Sequence, residues 1–378
     1  MGKTSDEFFQ SKTTSSSIKT KIVTDYYSSW IEKMMNSAKS SPNKNFHETH
    51  FGYIDLYAGA GAYKDGSHGT AMSIMSKIVQ SEQQRNCVEA IFNDSHKASI
   101  ESLSGCVGNI CSNLNFRYPP QFTNQKVDVT LVNNIFKRCN FPTLLFLDPF
   151  GYKGLSLESI RTGIEEFGSD CFIFFNYVGV IRALRLKNSD SNLAPLFGDS
   201  YISIKQQEQC LSQHQKQNLI VESFKKELTK LFPKTYVSHF RFLSKKANCT
   251  QHYLFHITKS EVGYLLFKDI IRKINSDSNG FPIYEYNPRA NNNAVDNYIT
   301  NRKEDLACDL LSDFKGEKIT FNKLFKQHHI KTNYCRTNYC DTIKYMVKNK
   351  RINLSEIKSD GTPRGKAFCE DAVVILFP

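Results

Sequence analysis

The chain of 378 residues has no apolar run approaching the roughly twenty residues that a membrane-spanning helix needs, so nothing in it reads as a bilayer span. Its first stretch, Met1 to Ser17, is polar and has no apolar centre, so no secretory leader is expected. Asp6 stands where a myristoylation signal starting at Gly2 wants Ser or Thr. A cytoplasmic protein is the expectation. Eleven cysteines include no C-x-x-C pair; Cys106/Cys111 and Cys335/Cys340 are each five apart, with no histidine following at zinc-finger spacing. No metal site is expected, and an odd count argues against a full disulfide framework. Reduced, mostly buried thiols are the expectation. No G-x-x-x-x-G-K-[ST], H-E-x-x-H or G-x-S-x-G occurs, which weakens phosphate-loop ATPase, metalloprotease and esterase chemistry. No Pro-Cys dipeptide supplies the nucleophile of a cytosine-5 methylating enzyme.

A 40% hydrophobic and 23% charged composition is that of a globular protein with room for a large core and two or three domains. The net charge is +12. Between Lys315 and Lys366 there are thirteen Lys or Arg residues against four Asp or Glu, so most of the excess sits in one C-terminal segment. A basic surface serving solubility alone would be spread evenly; this concentration points to an anionic partner.

The hydrophobic pattern gives an order of elements. Ile18, Ile22, Tyr26 and Trp30 recur at four-residue spacing and predict a helix over Ser17–Met35, with Ser15 to Ser17 as caps. Strands are expected at Phe51–Tyr57, Val88–Asn93, Thr143–Leu147, Cys171–Tyr177 and Tyr253–Thr258, with a short third strand or edge at Gln125–Val129. Helices are expected between them, including Ala71–Val79, Val132–Lys137, Ser156–Phe167 and Val262–Ile274. Such alternation predicts an α/β fold: a Rossmann-like, mostly parallel sheet. The expected division is a tail and helix over 1–50, the sheet domain over 51–294 with an irregular insertion or lid near 179–250, and a basic domain over 301–378. In that last segment three helices precede two strands around Asp360-Gly361-Thr362-Pro363, the order of a winged helix-turn-helix. Such a domain lays its third helix in a DNA groove and its wing on the backbone, or serves as a protein contact. The nucleic-acid candidates are Lys344, Lys348, Lys350 and Arg351 on and after the third helix, with Arg364 and Lys366 at the wing tip.

Chemistry concentrates at strand ends. The block Asp55-Leu56-Tyr57-Ala58-Gly59-Ala60-Gly61 is an acid followed by a G-x-G turn, which lets the backbone approach a nucleotide-like ligand. It is close to the D-L-F-A-G-x-G of cytosine-5 DNA methyltransferases, so Asp55, Tyr57, Gly59 and Gly61 are candidates for holding adenosylmethionine. Asp94 ends the second strand, where an acid either binds ribose hydroxyls or caps the next helix. Asp148-Pro149-Phe150-Gly151-Tyr152 ends the fourth. Amino-methyltransferases place D/N/S-P-P-Y/F/W there, the acid accepting from the target amine and the aromatic stacking on the base. Asp148, Pro149, Phe150 and Tyr152 are the catalytic candidates, though the second Pro is replaced by Phe150; a turn in which Asp148 caps the next helix is the plain alternative. Asn176, Tyr177 and Arg182 are placed to share this crevice. Lys19 and Lys21 lie on the first helix, each by itself expected on a solvated face.

Together these blocks resemble the three-Cys-motif partner protein family, TcmP. The resemblance runs from Phe8-Phe9 and the first helix through Tyr53–Gly61, Phe146–Gly151, Phe175-Asn176-Tyr177 with Arg182, and Tyr253–Lys259 to the basic tail. It implies a methyltransferase-like fold and a radical-SAM-like partner bearing the three-cysteine motif; the eleven cysteines here are not that motif. Members occur in bacterial two-gene cassettes with a possible link to phage defence. The function expected is a methyltransferase-like protein that binds adenosylmethionine and acts on or with nucleic acid. The alternatives are a non-catalytic module binding protein or nucleic acid beside its partner, and a regulator whose sheet domain senses a nucleotide.

Overall fold

The computed structural model describes residues 13–40, 49–186, 190–245, 249–289, 302–356 and 373–378. They fall into two compact units, Met1–Phe267 with Glu285–Pro288, and Lys268–Tyr284 with Arg289–Pro378.

The first unit is built on eight strands: β1 Phe51–Asp55, β2 Val88–Asn93, β3 Gln121–Thr123, β4 Thr143–Leu147, β5 Asp170–Asn176, β6 Tyr236–Leu243, β7 Thr250–Thr258 and β8 Glu285–Tyr286. Their order is β3-β2-β1-β4-β5-β7-β6-β8. β1 to β5 pair in parallel, whereas β7 runs antiparallel to both β5 and β6. This is a Rossmann-like, mostly parallel sheet. β1 and β4 are buried along their whole length, which is why they read as continuous apolar runs rather than alternating ones. The strand order reverses between β1 and β4, so a crevice opens beyond their carboxyl ends, at Asp55 and Asp148.

Helices flank the sheet: α1 Thr14–Lys39, α2 Thr70–Gln80, α3 Lys97–Cys111, α4 Val129–Phe136, α5 Leu157–Gly163, α6 Tyr177–Leu184, α7 Asp190–Phe197, α8 Ser200–Gln207, α9 Gln213–Thr229 and α10 Glu261–Ile274. Thr13 caps α1 by accepting from the Ser16 amide at 3.1 Å. Ile22, Val23, Tyr26, Tyr27 and Trp30 then form a buried stripe on that helix. Tyr26 meets Phe172 edge-on at 5.0 Å, and Tyr27 meets Tyr53 at 5.8 Å, which fixes α1 across the sheet.

Three expectations change. The third strand is Gln121–Thr123, not Gln125–Val129. Asn93 grips the backbone of Gln125, accepting from its amide and donating to its carbonyl at 3.0 Å each, so those groups are not free for a ladder. The 179–250 stretch is not an irregular lid: it forms α7, α8, α9 and β6. Leu193, Leu196, Phe197, Ile204, Ile220 and Phe224 enter the main core, where Phe224 stacks on Phe175 at 5.0 Å. Its Gln- and Lys-rich character is only the solvent face of these helices. Of the ten described cysteines just four are buried, and Cys210, Cys249 and Cys308 are exposed.

The second unit orders α11 Arg302–Asp313, β9 Lys318–Thr320, α12 Phe321–His328, α13 Arg336–Lys348, β10 Asn353–Glu356 and β11 Val373–Leu376. The three strands form an antiparallel sheet in the order β10-β11-β9. This is a winged helix-turn-helix, and β9 is the strand that the sequence pattern did not reveal. Lys268 is buried in this unit. Its amino group donates to the carbonyls of His329 and Thr332 at 2.7 Å each and so clamps the turn between α12 and α13.

Candidate functional site

In the first unit a cavity of about 570 Å³ lies at the carboxyl ends of β1 and β4. That is within the range of small-molecule and cofactor sites, roughly 300–1,000 Å³. It is lined by the β1 turn from Tyr57 to Gly61, by Asp55, by Asp148-Pro149-Phe150 after β4, and by Lys19 from α1. Phe146, Phe174, Asn176 and His252 line it as well, and Ser244, Lys245 and Gln251 are also in its wall.

Asp55 is 1% exposed. It accepts from the Tyr57 amide at 3.1 Å, and the Tyr53 hydroxyl lies 3.5 Å away. Burial pushes its carboxyl up to about 8; the Tyr57 amide and the Lys19 ammonium pull the other way, while Asp148 and Asp94 add to the rise. A carboxyl whose pKa is raised by burial, lining an open cavity, marks a candidate ligand contact.

Lys19 is the residue the sequence places wrongly. It is not on a solvated face; it is buried, and its ammonium is ion-paired with Asp148. Burial, the largest influence, would lower its pKa, but the Asp148 carboxylate, with Tyr63 and Asp55 adding in the same direction, turns the result into a rise. The ammonium also lies 4.6 Å from the centre of the Phe174 ring and 5.9 Å from that of Phe146, within cation–π reach. A signal was present: Lys19 precedes Ile22, Val23, Tyr26 and Tyr27 by three, four, seven and eight residues, so it continues the buried stripe. Lys21 is off that stripe, exposed, and paired with Asp25 at 2.8 Å.

The other candidates separate. Phe150 lines the cavity and is 66% exposed, so it stands at the rim; Tyr152 packs against the hydrophobic core instead. Asn176 lines the cavity and caps α6 by accepting from the Gly179 amide at 2.8 Å. Tyr177 is turned into the core beside Tyr253, and Arg182 is exposed outside the cavity lining, so the expected trio does not share one crevice. Asp94 is buried and not among the lining residues; its two oxygens accept from the amides of Gly59 at 2.9 Å and His96 at 2.8 Å. It therefore braces the turn. Gly61, at φ +80°, needs to be glycine for the turn itself: a Cβ there would sit 2.6 Å from Leu103 Cδ1. His252 has no sequence signal. It stacks on Phe174 at 4.6 Å, and burial, helped by the Lys19 charge, lowers it to about 4, so its imidazole is neutral at physiological pH.

In the second unit α13 carries Arg336, Lys344 and Lys348 exposed within about a third of a turn of one another. Arg336, absent from the sequence-based candidates, sits at the helix start with its guanidinium over Phe321 at 4.7 Å. Lys344 lies 3.7 Å from Asp341. Lys350 is exposed just after the helix, whereas Arg351 is ion-paired with Glu304 on α11 and has a structural role. Arg364 and Lys366 lie outside the described residues.

A family model described as a GMT-like wHTH domain matches residues 284–356. No curated protein matches the sequence. Similar solved structures include a protein from Staphylococcus aureus assigned as a caffeoyl-CoA O-methyltransferase, at 9% identity and a TM-score of 0.29, covering 60% of this chain and 81% of that one. The DszA carbon methyltransferase is 12% identical with a TM-score of 0.31, covering 58% and 49%. Loganic acid methyltransferase with SAH is 11% identical with a TM-score of 0.29, covering 64% and 78%.

Proposed function

We propose that the switch-point cavity binds adenosylmethionine and that the chain is a methyltransferase-like protein acting on or with nucleic acid. The observation that carries this reading is the buried Asp55 beside the Tyr57–Gly61 turn, both lining a switch-point cavity large enough for a nucleoside. The donor set fits the cofactor. Asp55 offers a carboxylate to a cationic group, the turn Tyr57–Gly61 offers backbone to its polar edges, and Phe146 and Phe174 offer apolar wall. Asp94 contributes through the Gly59 amide that it holds. When bound, the cofactor supplies an electrophilic methyl group; the protein's part is to orient the acceptor and exclude water. The exposed Phe150 ring suits stacking of a base at the rim. The basic face of α13 supplies phosphate contacts.

A second reading, a non-catalytic binding module, is favoured by one observation: Lys19 already occupies the carboxylate of Asp148. The finer identity, a cytoplasmic three-Cys-motif partner protein working beside a radical-SAM-like protein in a bacterial cassette, is supported by the sequence resemblance. Calorimetric titration of the full chain with adenosylmethionine, beside a folded Asp55→Ala variant, decides between the readings. Micromolar binding lost in the variant supports the cofactor site. Absence of both heat and a thermal shift would remove it.

A further inference from the structure

The Lys19–Asp148 pair says what kind of atom the cavity is built to methylate. An exocyclic amine presents two N–H donors and keeps one lone pair, the pair that must attack. A site for it offers acceptors only. Here the acid after β4 is paired with an ammonium, and the two line the same cavity. An ammonium beside a target amine would repel its hydrogens or capture its single lone pair. An oxygen has two lone pairs and, as a hydroxyl, one donor. It can accept from Lys19, donate to Asp148 and still hold a lone pair free. Both halves of the ion pair are then used.

Resting on the cofactor reading above, we propose that the acceptor is a hydroxyl oxygen, in nucleic acid the ribose 2′-hydroxyl, that meets both Lys19 and Asp148 from the cavity side of their ion pair. The oxygen forms its bond to the methyl carbon as the carbon–sulfur bond of the sulfonium donor breaks. The bonding pair leaves on sulfur, and the hydroxyl proton passes to the Asp148 carboxylate. The Lys19 ammonium, held at the acceptor by its ion pair with Asp148, steadies the negative charge that develops on oxygen. Its place over the Phe174 ring, with His252 stacked on that ring and Asn176 alongside in the cavity, restricts where the ammonium points. The 2′-hydroxyl is also the group by which a protein tells RNA from DNA, so the substrate strand is RNA.

Two readouts test this, the first without turnover. Binding of a single-stranded RNA and of the DNA of the same sequence is measured for the full chain, for Lys19→Met and for Asp148→Asn. Each variant is first checked for a cooperative melt. The expected result is at least a tenfold preference for RNA in the unmodified protein, reduced to about threefold or less in whichever variants fold. Equal binding of the two strands by the unmodified protein would overturn the proposal. In the second readout RNA is incubated with methyl-labelled adenosylmethionine and hydrolysed in alkali. Label in alkali-resistant dinucleotides supports ribose methylation. Label in mononucleotides, on the bases, overturns it, as does absence of label when calorimetry shows the cofactor bound. No cofactor binding at all strikes at the earlier reading instead, and the RNA preference then stands or falls on the first readout.

Discussion

Asp55 holds its proton up to a pH of about 8, against 3.8 for the ordinary side chain, because burial penalises its charge. The unfolded chain releases that proton near pH 4, so between about 4 and 8 it binds fewer protons than the folded chain. Stability therefore falls as pH rises through this window and is at its fullest below it. Asp170, pushed up to about 6 chiefly by burial, adds a slope of the same sign. Asp55→Asn, which keeps the shape without the charge, is expected to raise stability at pH 8 by on the order of a few kcal/mol and to leave it nearly unchanged at pH 4. Thermal melts of the two proteins at both values check this. A cation seated beside Asp55 would pull its pKa down, so cofactor binding at pH 7 is expected to release close to one proton, read from calorimetry in buffers of different ionisation enthalpy. At this scale the sequence was half legible. Asp55, Asp148 and Phe150 stand where strand-end motifs put them. Lys19 was readable only by asking which face of α1 it shared with Tyr26. His252 was not readable, because its neighbourhood with Phe174 and Asn176 is created by the antiparallel register of β5 and β7.

Among the elements, the end of α13 joins a local rule to a local cost. Lys350 takes φ +56°, the left-handed region that glycine favours. Its amide donates to Val347 O at 3.0 Å, and that of Arg351 to Met346 O at 2.9 Å, the pair of bonds that closes a Schellman helix end. A lysine where glycine is easier costs on the order of 1 kcal/mol. Lys350→Gly is expected to stabilise the protein by roughly half that, since glycine gives up more chain entropy on folding. If Lys350 meets phosphate, the same change weakens nucleic-acid binding as the melting temperature rises, and a paired melt and binding assay would show the two moving in opposite directions. Lys268 shows a second element-scale cost. Burial lowers it to about 7, against 10.5 ordinarily. Between these values the unfolded chain binds the extra proton, so its contribution is lost as pH falls from about 10 to 7. Lys268→Met is expected to flatten that dependence and to destabilise by about 1–3 kcal/mol, because the carbonyls of His329 and Thr332 lose their donor. β1, β2 and β4 were legible as apolar runs, and α12 as the second of three helices in the basic segment. β6 was not, because it lies in a stretch dominated by the polar faces of α8 and α9, and β9 was too short to carry a period.

Across the whole molecule the uneven charge was the most legible property, and it makes the most quantitative forecast. A net +12, mostly in the segment that forms the winged helix, should make nucleic-acid binding steeply dependent on salt, through release of condensed counterions. What the sequence did not tell is which charges are available. Arg351 is spent on Glu304, and Lys331 on Asp313 at 2.6 Å, whereas Lys348 is exposed on the face of α13 that also carries Arg336 and Lys344. Charge counting treats these side chains alike; packing sorts them. Lys344→Ala with Lys348→Ala is expected to lower the slope of log affinity against log salt by about two, roughly one for each phosphate no longer neutralised. Arg351→Ala is expected to cost stability and leave the slope of the folded protein nearly unchanged. Titrations at several salt concentrations, with melts of each variant, distinguish the two. An unchanged slope in the double lysine variant would move the nucleic-acid contact off α13. Adenosylmethionine affinity should be the same in all these variants, because the cavity is built wholly from the other unit.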